Sequence, residues 1–147
     1  MNEEKDLEPE HQYSLRFLET AFRTDHRERI AHPDGYGKRT GDCGDTIEIF
    51  LCVQENCIRR ICFDINGCIN TAACANAIVC LAEGKSPDEA WRITPEHIAQ
   101  YLETLPPDHF HCAELAAGAL YLALSDYRRT NCNCKCWKKA YRQQLRN

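Results

Sequence analysis

The chain of 147 residues carries a net charge of −4 and has a pI near 5.9, and a single domain of this length buries roughly 68 to 70% of the surface that its unfolded form exposes. This charge argues against a phosphate backbone as the main partner, and no apolar run approaches the roughly 20 residues of a membrane-spanning helix. The N-terminal stretch "MNEEKDLEPEH" is acidic and has no signal-peptide pattern, so we expect a cytoplasmic protein that uses neither nucleic acid nor a membrane.

The first third of the chain predicts a tail, a helix and a loop-rich segment. Residues 1–12 are charged without apolar periodicity, which is typical of a flexible tail. The next stretch, "YSLRFLETAF", predicts a short amphipathic helix capped by Ser14. Its expected apolar face consists of Leu15, Leu18, Ala21 and Phe22. The segment "HPDGYGKRTGDCGD" is rich in turn-forming residues and leaves room for at most one short strand.

Two alternating segments predict an antiparallel hairpin. In "TIEIFLCV" the residues of one face are Ile47, Ile49, Leu51 and Val53, which is the period of two of a pleated strand. After a turn at "QEN", the stretch "CIRRICFDI" places Ile61, Phe63 and Ile65 on one side. Ile58 breaks this parity and therefore predicts a bulge or the end of the turn.

The second half of the chain predicts helices. "INTAACANAIVCLAEG" predicts a helix that closes at Gly84, and "SPDEA" and "TPEH" are helix starts with a capping residue followed by proline. A last long helix is expected from about Cys112. The order of elements predicts an α+β fold, in which helices cover one face of a small antiparallel sheet of about three strands. The domain is expected over residues 13–130, followed by a Cys-rich basic tail at 131–147.

The eleven cysteines are the outstanding feature of the composition. Their number is odd and no export signal precedes them, so we interpret them as buried thiols, metal ligands or nucleophiles rather than disulfides. Cys68, Cys74 and Cys80 are six residues apart. On a helix, each step of six residues turns the side chain by about 120° from the last, so these three thiols cannot chelate one ion. We expect five cysteines to be buried core residues, namely Cys52, Cys57, Cys62, Cys74 and Cys80.

Three other cysteines, Cys43, Cys68 and Cys112, lie where an element begins or ends, and we expect their thiols to be accessible. Helix N-termini also favour the thiolate, which is the form that binds metal. Asp45 and His111 could add an oxygen and an imidazole ligand. The spacing of the three cysteines matches no short metal-binding motif, so a three-cysteine site is one hypothesis among several at this point.

Three segments carry a resemblance to a known family. "GDCGDTIEIFLCV", "DINGCINTAACANAIVCLAEGKSPDEA" and "LPPDHFHCAELAAGALYLALSDY" resemble, in order and spacing, the IscU and NifU N-terminal family of iron–sulfur cluster assembly scaffolds. The similarity covers roughly Tyr13 to Tyr127. It implies a SufE/NifU-like α+β fold with a site at one exposed end. It also implies ligand roles for five residues, namely Cys43, Asp45, Cys68, His111 and Cys112.

The resemblance implies a function in assembly and transfer rather than in catalysis. A pyridoxal-phosphate cysteine desulfurase would pass sulfur to Cys112, and other proteins would supply iron and electrons. A labile [2Fe-2S] cluster would form on the three cysteines and move to an apo-protein, with Asp45 as the harder and weaker ligand. Zinc is the alternative metal in the isolated protein, which would be a monomer or a homodimer.

Two segments depart from the family pattern or lie outside it. The stretch usually read as LPPVK is "LPPDH" here, and the change of charge at Asp108 and His109 argues against recognition by the specialised Hsp70-type chaperone. The tail "NCNCKCWKK" contains Cys132, Cys134 and Cys136, for which we expect either a metal or sulfur role or no role at all.

The histidines are expected to differ in role. We expect surface or capping roles for His11, His26, His32 and His97, and we expect His109 to line the site without binding metal.

Two alternative functions remain open. In one, a bound zinc ion orients Cys112 for persulfide transfer and no cluster forms. In the other, the protein is a cysteine-dependent hydrolase or transferase in which Cys112 is the nucleophile, His109 or His111 the base and Asp45 the orienting acid. No oxyanion-hole signature supports the second alternative, and it leaves two cysteines without a task.

Overall fold

The structure is a computed structural model that describes residues 12–132, and its core is one three-stranded antiparallel sheet in the order β1-β2-β3. The strands are β1 (Gly35–Thr40), β2 (Thr46–Gln54) and β3 (Cys57–Asn66). The helices are α1 (Leu15–Ala21), α2 (Ile69–Ala82), α3 (Pro87–Ala90), α4 (Pro95–Leu102) and α5 (Phe110–Cys132), and a 3₁₀ turn, Pro107–His109, leads into α5. Helix α5 packs on β1 and β2 and helix α2 on β3. The prediction of an α+β fold with a helix-covered sheet is confirmed.

The β2–β3 hairpin follows the predicted alternation, except that Val53 is only half-buried. Its core-facing side chains are fully or almost fully buried, and they are Ile47, Ile49, Leu51, Ile58, Ile61, Phe63 and Ile65. Glu55 and Asn56 form the turn with positive φ angles, as a two-residue hairpin loop requires. Val53 pairs with Ile58 whereas Cys52 pairs with Arg60, so the register shifts by one residue. This confirms the predicted bulge and explains how Ile58 joins the core face.

Strand β1 is shaped by the helix that lies on it. A Cβ atom added to Gly37 would lie 2.4 Å from the carbonyl oxygen of Ala119, and one added to Gly35 would lie 2.5 Å from that of Ala123. Both contacts are with the backbone of α5, which therefore approaches the strand as closely as only glycine permits. The glycines are the reason why this segment reads as loop-rich in the sequence.

The apolar face that we predicted for α1 is wrong in part. Leu15 is 71% exposed and Phe22 is 37% exposed, whereas Phe17 is completely buried together with Thr20 and Ala21. Helix α1 has only seven residues, so its period is weakly determined by sequence and its orientation is set by its neighbours. The Ser14 cap is confirmed, since its hydroxyl accepts the N–H of Phe17.

Both edges of the sheet are capped. On the β3 edge, the backbone N–H of Phe63 donates to the carbonyl of His26 at 2.9 Å, and that of Ile58 donates to the carbonyl of Lys85 at 2.8 Å. On the β1 edge, the N–H of Tyr36 donates to the carboxylate of Asp126 at 2.9 Å. The backbone groups of both outer strands are thus partly paired with loops and a helix side chain.

His26 corrects a second prediction, because it is only 8% exposed instead of lying on the surface. Its Nδ1 lies 2.8 Å from the carbonyl oxygen of Ile61. A carbonyl can only accept, so Nδ1 carries the proton and donates it. The loop after α1 is thereby joined to β3 by both the backbone and the side chain of His26. His97, in contrast, has the predicted capping role at the start of α4.

We expect His26→Ala to lower the free energy of unfolding by about 2 kcal/mol, because it leaves the carbonyl of Ile61 unpaired in a buried setting. Urea denaturation followed by circular dichroism measures this change. His32→Ala is the matched control, since His32 is exposed, and we expect it to unfold at the wild-type urea concentration. Equal midpoints for the two variants would contradict the role given to His26.

The prediction of five buried cysteines is confirmed for two of them. Cys62 and Cys74 have no exposed surface, and burial raises the pKa of both thiols, that of Cys62 to about 11. The prediction is wrong for Cys52, Cys57 and Cys80, which are half-buried. Cys57 and Cys80 lie beside polar partners, the carbonyl of Gly84 and the guanidinium of Arg23. Such partners hold these thiols at the rim of the core.

Candidate metal centre

The loop between β1 and β2, residues 41–45, forms one side of the site. The N–H of Gly41 donates to the carbonyl of Asp45 at 2.9 Å, and the N–H of Gly44 donates to the carbonyl of Gly41 at 2.9 Å. Gly44 has φ +89°, a conformation that other residues adopt only with strain. Cys43 is exposed at the tip of this loop, as predicted from its place between elements.

The start of α2 forms the second side. Cys68 is the N-cap residue of α2 and is half-buried. Three residues later, the hydroxyl of Thr71 donates to Asp45 Oδ2 at 2.7 Å and thereby ties the β1–β2 loop to the helix. A Cβ atom on Gly67 would lie 2.7 Å from the Thr71 hydroxyl and 3.0 Å from Asp45 Cγ. The glycine before Cys68 therefore permits the contact between loop and helix.

The start of α5 forms the floor of the site, and here the structure corrects the sequence. Cys112 is the third residue of α5 and not its opening residue. It has 0% exposed surface, so the expectation of an accessible thiol is wrong. The helix begins two residues earlier than predicted, at Phe110, and its packing against α2 places Cys112 on the inward side. Its Sγ lies 3.8 Å from the hydroxyl of Thr71.

Three potential ligands converge at this floor, namely Cys68, His109 and Cys112. One ligand atom of each lies within 4.8 Å of the ligand atoms of the other two. We call these three residues the inner cluster. Asp45 is next to it, because the Thr71 hydroxyl that binds its carboxylate also lies 3.7 Å from the sulfur of Cys68.

The two sulfur atoms of the inner cluster differ in electrostatics. The pKa of the Cys68 thiol is lowered to about 5, because the Cys112 thiol donates a hydrogen bond to it and the N–H and hydroxyl of Thr71 add to this effect against the opposing effect of burial. The pKa of Cys112 is raised, because its proton is shared with Cys68 and because burial disfavours its thiolate. The pair thus holds one proton, and Cys68 is the thiolate at the helix N-terminus.

Two of the predicted ligands lie on the outside. Cys43 and His111 line an open pocket together with Arg39 and Glu114, and we call these four residues the outer pocket. The rings of His109 and His111 are 5.8 Å apart between their centroids. The five residues that the resemblance implies are therefore distributed over two adjoining places: Cys68 and Cys112 inside, Asp45 beside them, and Cys43 and His111 in the outer pocket.

Two residues of the site were not identified as participants from the sequence. Thr71 connects Asp45 to both sulfur atoms, and no property of the isolated segment "INTAAC" indicates this. His109 joins the inner cluster although we expected it only to line the site. Its spacing from Cys112 is the i, i+3 of one helix face, and this signal would have found it if the 3₁₀ turn that leads into α5 had been predicted.

The donor set suits borderline and soft metals. Two sulfur atoms and one imidazole, with a carboxylate nearby, are the ligands of tetrahedral zinc and of iron bound to thiolates. Magnesium and calcium prefer oxygen ligands, so this set of donors does not suit them.

The described residues contain no helix that is long and apolar enough to cross a membrane. The tail cysteines Cys134 and Cys136, with the side chain of Cys132, lie outside the described residues.

The sequence and the fold were compared with known proteins. The sequence profile described as NifU-like N terminal domain matches residues 28–134. The chain is 38% identical over 104 residues to iron-sulfur cluster assembly scaffold protein IscU 1 of Archaeoglobus fulgidus, and this alignment covers 70% of this chain and 68% of that protein. It is 37% identical over 87 residues to the IscU scaffold protein of Haemophilus influenzae, which covers 58% and 68%.

A solved structure of the N-terminal part of a NifU-like protein from Brucella abortus has a similar fold. The TM-score is 0.65 at 16% sequence identity, and the match covers 87% of this chain and 99% of that one. At this identity, the likeness supports the fold and no more.

Proposed function

Because the chain belongs to the family of NifU-like N-terminal domains, we propose that it is a scaffold on which an iron–sulfur cluster is assembled and from which the cluster is passed on. The observation that carries this proposal is the meeting of Cys68 and Cys112 at one end of the fold, beside a glycine-containing loop that presents Asp45 and Cys43. The cluster is the cargo of the protein and not a resident cofactor, so the scaffold itself is no enzyme.

We propose a [2Fe-2S] cluster as the cargo and Cys43, Cys68 and Cys112 as its thiolate ligands. Cys43 is exposed on a loop closed by two backbone hydrogen bonds, and we propose that this loop moves to bring its sulfur toward the other two. His111 is the fifth ligand candidate and shares the outer pocket with Cys43.

We assign Asp45 the task of keeping the cluster labile. A carboxylate is a harder and weaker donor to iron than a thiolate. In this structure the Asp45 carboxylate accepts a hydrogen bond from the Thr71 hydroxyl at 2.7 Å. Thr71 is therefore an alternative partner for the carboxylate when it does not bind the metal. Exchange between these two partners would favour release of the cluster to an apo-protein.

Sulfur delivery involves the buried thiol. A cysteine desulfurase with pyridoxal phosphate holds sulfur as a persulfide, and we propose that Cys112 takes the outer sulfur as its acceptor. In this step the Cys112 thiol passes its proton to the Cys68 thiolate and its sulfur attacks the outer sulfur of the persulfide. The S–S bond of the desulfurase breaks, a new S–S bond forms on Cys112, and the desulfurase cysteine leaves as a thiolate. Because Cys112 has no exposed surface, the first turn of α5 must open for this transfer. An external electron donor then reduces the sulfane sulfur to sulfide.

We also propose partners and a location for the protein. The scaffold needs a sulfur donor, sources of iron and electrons, and apo-proteins that receive the cluster. The cytoplasm is the proposed location, because the eight cysteines with described side chains are all free thiols and free thiols persist in reducing compartments.

Anaerobic reconstitution tests the proposal. The full chain is incubated with a cysteine desulfurase, cysteine, ferrous iron and dithiothreitol, and visible absorption, iron and acid-labile sulfide are measured. We expect a bridged iron–sulfur chromophore that disappears from the scaffold when an apo-ferredoxin is added and appears on the ferredoxin. A colourless protein with one zinc ion and a persulfide on Cys112 would instead favour the zinc-bound sulfur acceptor, which the inner cluster also supports.

A further inference from the structure

We propose that His109, and not His111, is the imidazole ligand of a single divalent metal ion that Cys68 and Cys112 hold in the inner cluster. The ion is of the zinc type, with tetrahedral preference and affinity for nitrogen and sulfur. The inference concerns the same end of the fold and rests on the proposed function for its biological meaning, but its test needs no cluster assembly.

Helix geometry separates the two histidines. His109 precedes Cys112 by three residues, and residues three apart lie on one side of a helix. The 3₁₀ turn runs directly into α5, and the N–H of His109 bonds to the carbonyl of Pro106 at 2.8 Å, so the chain is already helical at this point. His111 precedes Cys112 by one residue, and adjacent residues project about 100° apart.

Burial agrees with this separation. His109 is half-buried, as is Cys68, whereas His111 is exposed. His111 lines the outer pocket beside Cys43, while a ring nitrogen of His109 is within 4.8 Å of both inner sulfur atoms. The side chain that already faces Cys112 is therefore that of His109.

The distances are close to those of a coordinated ion. In tetrahedral coordination, with Zn–S of about 2.3 Å and Zn–N of about 2.0 Å, ligand atoms are roughly 3.4 to 3.8 Å apart. The inner cluster, with separations of at most 4.8 Å, reaches this geometry by side-chain movements of about an ångström. Asp45 offers a carboxylate oxygen for the fourth position, once its hydrogen bond from Thr71 is released.

The arrangement has a chemical consequence for the scaffold. An ion in the inner cluster occupies Cys68 and Cys112 and leaves Cys43 with a free thiol in the outer pocket. Loading with zinc should thus protect the half-buried Cys68 from alkylation and leave the exposed Cys43 reactive.

Titration with Co²⁺ and then Zn²⁺ tests the ligand assignment in the full chain. Thiolate-to-cobalt absorption reports binding, and competition with a chelator gives the affinity for zinc. We expect His109→Ala to weaken zinc binding by about tenfold or more, and the matched variant His111→Ala to remain within about threefold of wild type. Weaker binding in His111→Ala with wild-type binding in His109→Ala overturns the inference, as does wild-type or equally reduced binding in both.

Chemical footprinting of the wild-type chain tests the same ligand assignment without any substitution. Diethyl pyrocarbonate modifies accessible imidazoles, and mass spectrometry locates the adducts with and without zinc. We expect zinc to protect His109 selectively, and iodoacetamide to label Cys43 but not Cys68 or Cys112 in the zinc-loaded chain. Protection of His111 with labelling of His109 overturns the inference. A chain that gives the expected footprint but builds no cluster loses only the proposed scaffold function.

Discussion

Replacement of Cys68 by serine is expected to reduce the cluster bound after anaerobic reconstitution by about tenfold or more, because a hydroxyl is a poor ligand for iron where a thiolate was required. Serine preserves the size of the side chain. It removes the thiolate that the hydrogen bonds of Cys112 and Thr71 stabilise. The measurement is the visible absorption per chain together with iron and acid-labile sulfide.

Cys52→Ser is the matched control for this experiment. Cys52 is also a half-buried free thiol, but it lies in β2 on the face opposite to the core residues. We expect its variant to bind as much iron and sulfide as wild type. If Cys68→Ser retains a wild-type cluster content, the placement of the cluster on this cysteine is wrong.

Replacement of Gly37 by alanine is expected to destabilise the fold by about 3 kcal/mol or more, since overpacking against rigid backbone is among the most costly core changes. The new methyl group would lie 2.4 Å from the carbonyl oxygen of Ala119 and from the N atom of Ala123. Helix α5 would have to move away from β1, and Cys112 would move with it. Chemical denaturation measures the stability.

Gly41→Ala is the matched control for Gly37→Ala. Gly41 follows the end of the same strand, and an added Cβ there would meet nothing closer than 3.7 Å. Alanine also reduces the entropy of the unfolded chain, so we expect a stability within about 1 kcal/mol of wild type. Equal stability of both variants would show that α5 does not require the glycine at position 37.

The fold could be predicted where a side-chain pattern depends on the element itself. The alternation around Ile49 and Leu51 is a property of β2 alone, and Ser86 with Glu89 forms the predicted capping box within five residues. The face of α1 could not be predicted, because its seven residues are oriented by packing on other helices. The sequence predicts at most one short strand where β1 lies, because this segment contains glycines. These glycines are needed for close contact with a helix more than eighty residues later in the chain.

The candidate site could also be predicted only in part. The resemblance brought Cys68, Cys112 and Asp45 together, and the structure agrees on their proximity. The burial of Cys112 and the inward position of His109 depend on how the 3₁₀ turn and α5 pack on the rest of the fold. Helix boundaries are uncertain by one or two residues, and the face that α5 buries is set by its packing on β1, β2 and α2, which the sequence does not show.

The capped edges of the sheet restrict how this protein can associate. An uncovered outer strand would invite another chain to extend the sheet by main-chain pairing, which is also the first step of fibril growth. Here His26 and Lys85 occupy backbone donors of β3, and Asp126 occupies one of β1. A protein that docks on this fold is therefore expected to recognise side chains at the ligand-bearing end or on the helices, and docking by strand addition is disfavoured.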